Sequence, residues 1–230
     1  MSSTLTPVTD GIWTVHHRDF SVGGLGIGTR TNVVRLPDGT LLLHSPGPLD
    51  EAALTAIRGL GPVSHLLAPN LMHHLSLARI AAAFPEARLI ASPGLAKKEP
   101  TVRIDETLGD TVPASLSGAL EMAVLDGAPA LEERVFFHAP TRTVLGVDLA
   151  FNLQGMTGFT RFAMWINNAN ERFCVTRLAR SQFIQDAKAA AASVNRMADA
   201  WNPERVIVSH GEVLPSGGAA ALREAWSFAG

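Results

Sequence analysis

Twice along this chain a group of short β-type runs gives way to residues at helical spacing, and that repeated order limits the fold more than any single motif does. The first group comprises residues 11–17 (GIWTVHH), 32–36 (NVVRL) and 40–44 (TLLLH). Pro37-Asp38-Gly39 joins the last two runs. Proline presets φ and glycine accepts φ > 0, so this tripeptide between apolar runs predicts a hairpin. Residues 49–60 then carry apolar side chains at helical spacing, with Asp50 and Glu51 at the start, where carboxylates favour the positive end of a helix. A buried strand is expected over 63–68. A helix follows over 75–84, stopped by Pro85, and a strand over 87–92 (ARLIAS), closed by Pro93-Gly94.

The second group is 120–127 (LEMAVLDG), 133–138 (ERVFFH) and 143–148 (TVLGVD), three strand candidates separated by Gly/Pro turns and read as an antiparallel meander. The stretch 177–201 is alanine-rich with strong helix propensity. Asn202-Pro203 ends it before a short strand at 205–209 (RVIVS). Two β-rich groups, each followed by helices, predict sheets packed together with helices outside, a layered α/β or α+β architecture. The spacing leaves the strand order open.

With 230 residues, 47% hydrophobic and 17% charged, the chain is long enough to bury a sizeable core, and residues 1–230 are expected to form one domain. No repeat or low-complexity linker divides it. The formal charge is −2 and there is no run of like charges, which argues against nucleic acid as a partner. A small-molecule ligand or substrate is expected instead. Cys174 is the only cysteine, so an intrachain disulfide and a CxxC motif are excluded, and any metal must be held by histidines and carboxylates. The N-terminal residues lack a basic segment followed by an apolar one, and no stretch approaches the roughly 20 apolar residues that span a bilayer. A cytoplasmic protein without membrane association is the expectation.

Of the eight histidines, His44, His73, His74 and His210 fall at or just past predicted strand ends, as does Asp148. Strand ends are where α/β sheets collect ligand sites. Imidazole nitrogen and carboxylate oxygen suit zinc and similar metals. Adjacent histidines on a regular strand point to opposite faces, so His73 and His74 share a metal only on irregular backbone or in the first turn of a helix.

The hairpin, the strand ending in PNLMHH, the helix, FPEARLIASPGL, the run TRTVLGVD and the late VIVSHGE, taken in that order, resemble the metallo-β-lactamase fold superfamily. The likeness spans about residues 10–214. More narrowly, the chain is similar to an uncharacterised branch marked by an N-x-x-H-H segment. The resemblance implies a four-layer αββα sandwich. The superfamily carries H-x-H-x-D-H at the strand end. Setting its last histidine on His74 places Pro69, Leu71 and His73 at the first histidine, the second histidine and the aspartate. Two ligands of the usual first metal are therefore absent. The place of its third, near Leu125-Asp126-Gly127, offers no histidine either. The second-metal ligands map onto His73, His74, Asp148 and His210. What this implies is a metal-dependent hydrolase-like protein with one divalent transition metal, zinc or iron, and an unknown substrate. The alternative is a catalytically inactive protein of that fold, binding a small ligand or a protein partner, with His73 opening a helix and His74 and Asp148 forming a buried pair. His44 stands in HSPG, near the superfamily's D-x-G turn, as a partner of the ligands or an extra one.

Three weaker signals remain. Gly23-Gly-Leu-Gly-Ile-Gly28 lacks the Lys-Ser/Thr and the helix of a nucleotide loop and reads as a hairpin tip. By the resemblance it flanks the site, making Phe20 and Leu25 candidate substrate-facing residues. Residues 155–166 (GMTGFTRFAMWI) allow a lid, a dimer surface or core, and core packing is the expectation. Cys174 in RFCVTR reads as inert packing, and Ser181, Ser193 and Ser209 lack a nucleophile-elbow context.

Overall fold

The computed structural model describes residues 4–229. Its first half contains β1 (Leu5–Thr9), β2 (Ile12–His17), β3 (Ser21–Val22), β4 (Leu25–Gly26), β5 (Thr29–Arg35), β6 (Leu41–His44), α1 (Glu51–Leu60), β7 (Val63–Ala68), α2 (Leu77–Ala83), β8 (Arg88–Ala91), α3 (Leu95–Lys98) and β9 (Glu106–Thr107). The second half contains β10 (Glu121–Val124), β11 (Arg134–His138), β12 (Thr143–Leu145), β13 (Phe151–Asn152), α4 (Gly158–Ile166), β14 (Phe173–Cys174), α5 (Arg177–Phe183), α6 (Ala187–Trp201), β15 (Arg205–Ile207) and α7 (Gly218–Trp226).

One sheet runs β1-β2-β5-β6-β7-β8-β9 and the other β10-β11-β12-β15. The Pro37-Asp38-Gly39 hairpin forms as expected: Asp38 Oδ1 accepts from the Thr40 backbone N–H at 2.9 Å, and Val33 faces Leu43 across the pair. Beyond β6 the strands of the first sheet are parallel, because α1 and α2 return the chain to the starting edge. The expected meander is present as the antiparallel ladder β10-β11-β12, and β15 then adds parallel to β12.

Alternation of side chains on the strands builds three apolar layers. Ile12, Val34, Leu42, Leu67 and Ile90 of the first sheet meet Phe136, Leu145 and Ile207 of the second, forming the seam between sheets. The opposite face of the first sheet, with Val33, Leu43 and Leu66, packs on Leu54, Ile57 and Ile80 of α1 and α2. The outer face of the second sheet, with Val135, Phe137 and Val144, packs on Val194, Met197 and Leu222 of α6 and α7. Helix, sheet, sheet, helix is the αββα sandwich.

Two local expectations are corrected. Residues 177–201 form two helices, because the Gln185 and Asp186 backbone amides both donate to Gly127 O and Asp186 caps α6 through Ala189 N. Alanine propensity alone does not reveal that break. Residues 155–166 are not core. Helix α4 buries Met164 but leaves Phe159 and Trp165 about 70% exposed. Among the described residues, no helix is long and apolar enough to cross a membrane.

Candidate metal centre

The chain leaves β7 at Ala68 and does not enter α2 until Leu77, so residues between them lie on irregular backbone. Asn70 shapes this stretch. Its Oδ1 accepts from the backbone amides of Met72 and His73 at 3.1 and 3.0 Å, an Asx turn that fixes where the next side chains point. His73 then turns inward, while His74 turns toward α3 and pairs with Glu99 (Nδ1 to Oε1, 2.5 Å).

Asp148 and His210 arrive from the second sheet, three residues beyond the ends of the parallel neighbours β12 and β15. His73, Asp148 and His210 bring one ligand atom each to within 4.8 Å of one another. Among the described residues no other three His, Cys, Asp or Glu side chains come as close. His74 lies outside this group. His44, fully buried behind it, pairs with Asn32 (3.1 Å) and packs edge-on to Phe136. It is not one of the clustered ligand groups.

The distances inside the cluster are informative. His73 Nε2 lies 3.6 Å from Asp148 Oδ2, and His210 Nε2 lies 3.4 Å from Asp148 Oδ1. Both are long for charge-assisted hydrogen bonds. The two contacts run to different oxygens of the carboxylate, and one ligand atom from each of the three residues lies within 4.8 Å of the others, a grouping able to hold a metal ion.

The outer nitrogens are already engaged. His210 Nδ1 lies 2.6 Å from Gly28 O, and a carbonyl only accepts, so Nδ1 carries a proton and Nε2 is the nitrogen turned to Asp148. His73 Nδ1 pairs with Ser45 Oγ at 3.0 Å. Phe151 stacks against the His210 ring, at 5.2 Å between centroids.

Sequence reading missed Asn70 and Glu133, which hold Asp148. Asn70 Nδ2 donates to Asp148 Oδ2 at 2.7 Å. Glu133, fully buried at the edge of β11, accepts from the backbone amides of Val147, Asp148 and Leu149 at 2.7, 2.9 and 3.2 Å. It thereby shapes the loop after β12. The signal for Glu133 was its charge in an apolar strand, ERVFFH; nothing local to it pointed to residue 148. Burial and the adjacent Asp148 carboxylate push Glu133 upward from the usual carboxylate range. Burial by itself would raise Asp148 too, but His73 and His210 outweigh it and hold that carboxyl well below the usual range. Asp148 is an anion throughout the physiological pH range, as a metal ligand must be.

The positions matched to the first metal are otherwise used. Pro69 O accepts from the Arg134 backbone, Leu71 packs against the sheet–helix core, and Asp126 pairs with Arg196.

A cavity of about 360 Å³ opens over His73, Asp148 and His210. The β3-β4 hairpin and Phe20 just before it form one wall, so that Phe20 and Leu25 line the cavity as expected. Cys174 is buried in core and burial pushes its thiol upward, away from reactivity.

The fold is that of the metallo-β-lactamases. A crystal structure of the DIM-1 metallo-β-lactamase exposed to ceftazidime matches with a TM-score of 0.73 over 100% of this chain and 99% of that one, at 13% identity. A metallo-β-lactamase from Pontibacter korlensis matches at 0.70 and 14% identity, covering 98% of this chain and 99% of that one. The FIM-1 enzyme from Pseudomonas aeruginosa in its mono-zinc form matches at 0.68 and 11% identity, over 100% of this chain and 96% of that one. No family model matches the chain, and no curated protein sequence does.

Proposed function

We propose that this chain is a metal-dependent hydrolase-like protein that holds one divalent transition metal, zinc or iron, on His73, Asp148 and His210 and acts on a small molecule in the cavity above them. The observation that carries the reading is the convergence of two imidazoles and one carboxylate, one ligand atom of each lying within 4.8 Å of the others, the residue types that zinc and similar metals accept. The mono-zinc form of FIM-1, a protein of this fold, supports a single-metal arrangement. His74, paired to Glu99 at the cavity edge, is outside the ligand set in this reading.

Each residue then has a task that needs no further group. Asp148 supplies the negative charge. Asn70 and Glu133 fix its carboxylate and backbone, and Ser45 and the Gly28 carbonyl aim the two imidazoles. The apolar walls thin the water around any bound group, which strengthens electrostatic interactions there. A metal at these three ligands would supply Lewis-acid polarisation of a carbonyl or phosphoryl oxygen.

Elemental analysis of protein purified without chelators tests this. About one zinc or iron per chain is expected, lost in His73→Ala and His210→Ala and retained in His74→Ala. A content near zero after soaking in zinc and in iron would leave a non-catalytic ligand-binding protein as the surviving account.

A further inference from the structure

The cavity over His73, Asp148 and His210 has a one-sided chemistry. Its wall is largely hydrocarbon, with Phe20, Ile27, Phe151, Leu153, Met164 and Phe183. Among its described lining residues none is lysine or arginine, and Asp148 is the one carboxylate. Cations close to the lining are engaged elsewhere, Arg18 with Glu212 at 2.9 Å. Arg30 donates to Gly211 O and Thr14, Arg177 to Ile166 O, and Lys98 to Leu71 O, while Arg180 lies over the Phe228 ring. A carboxylate or phosphate on a ligand, away from the histidine cluster, would therefore be desolvated without a counter-charge.

The apolar surface also continues outward. Val22, Met72, Leu75 and Leu178 line the cavity and are 53, 39, 74 and 45% exposed, so hydrocarbon reaches the rim where polar residues are usual. At about 360 Å³ the space lies near the lower end of the roughly 300–1,000 Å³ range of small-molecule pockets.

We infer that the site takes an uncharged ligand with a flexible aliphatic chain, a neutral ester or amide, its polar head at His73, Asp148 and His210 and its chain along the Phe20, Ile27 and Phe183 wall. The inference deepens the functional reading above and rests on it for the placement of the head. Each methylene moved from water into such a wall strengthens binding about fourfold.

Calorimetric titration with decanamide, hexanamide and decanoate, on zinc-loaded and on chelator-treated protein, tests it. Decanamide is expected to bind at least tenfold tighter than hexanamide and than decanoate in the chelator-treated protein, and the chain-length preference is expected to persist with zinc. Leu178→Lys, a rim substitution at an exposed position, should weaken decanamide at least threefold and narrow its lead over decanoate. Decanoate binding as tightly as decanamide, indifference to chain length, or no binding of any probe overturns the inference. A concentration-dependent dimer that decanamide fails to dissociate overturns it too, because the wall would then be covered by a second copy. Chain-length preference without metal uptake would retain this inference and remove the metal reading. Metal uptake without the preference would do the reverse.

Discussion

Asn70 joins the two halves of the candidate centre: its Nδ2 donates to Asp148 Oδ2 at 2.7 Å, and its Oδ1 accepts from the backbone amides of Met72 and His73. One buried side chain thus positions a carboxylate from the second sheet and the backbone that aims a histidine from the first. Asn70→Ala should weaken zinc binding about tenfold to a hundredfold, and lower stability by about 1–3 kcal/mol through the unsatisfied groups it leaves. Zinc affinity by chelator competition and urea unfolding measure the two effects, and unchanged zinc affinity would remove Asn70 from the site's support.

Glu133 gathers three backbone amides and Asn70 on two oxygens. At pH 9, where the Glu133 carboxyl raised to about 8 is ionised, Glu133→Gln turns one accepting oxygen into a donor that faces other donors. A loss of about 1–3 kcal/mol is expected from the mispaired buried groups. Guanidinium unfolding compares the variant with wild type, and equal midpoints at equal slopes would contradict the network.

Zinc at a hundred times its dissociation constant should stabilise the fold by about 2.7 kcal/mol, which for a chain of this size raises Tm by about 5–10 °C. Differential scanning calorimetry with and without zinc reads the shift. His73→Ala, Asp148→Ala and His210→Ala should show none, and His74→Ala should show most of it. A shift that survives His210→Ala would place the metal elsewhere.

Acid should destabilise the chain well before its carboxylates titrate. Burial first, with Arg30 also acting on His16 and His73 on His44, pushes His16 and His44 down to about 3; burial, against a raising Asp50, takes His17 to about 4. Each is neutral when folded and takes up a proton on unfolding below about pH 6.5. The stability these histidines contribute is complete above that value and is lost as the pH falls toward 4. Glu133 is pushed up by burial and acts in the opposite sense. Three protons gained against at most one released gives a slope of up to about 2.7 kcal/mol per pH unit near pH 5. Urea unfolding at pH 5 and pH 7 checks the sign, and equal stabilities would show that these rings are charged in the fold.

Gly211, beside His210, has φ +97°, and a Cβ there would stand 2.0 Å from the Asn152 carbonyl oxygen. Because the obstacle is backbone, no side-chain movement relieves it. Gly211→Ala should cost upward of about 3 kcal/mol and disturb His210. Thermal unfolding measures the loss, and a near-wild-type Tm would show that the two strand ends can separate.

The sequence by itself determined the layering, because period-two and helical spacing are local properties that survive in any register: the Pro37-Asp38-Gly39 hairpin, α1, β7 and the β10-β11-β12 ladder lie within a few residues of where spacing and turn chemistry put them. It also marked His44, His73, His74, Asp148 and His210 as strand-end groups. Only the tertiary structure decided which of them meet. His73 and His74 are identical in type and adjacent in the chain, yet the Asn70 turn sends one to Asp148 and the other to Glu99. The contacts that make the centre, Asn70 to Asp148 and Gly28 to His210, close over separations of 78 and 182 residues. The exposure of α4 was equally illegible, since GFTRFAMWI is apolar enough for core, and what leaves it outside is that among the described residues no layer covers Phe159 and Trp165. Periodicity records which face of an element is apolar; what packs against that face is settled by the path of the rest of the chain.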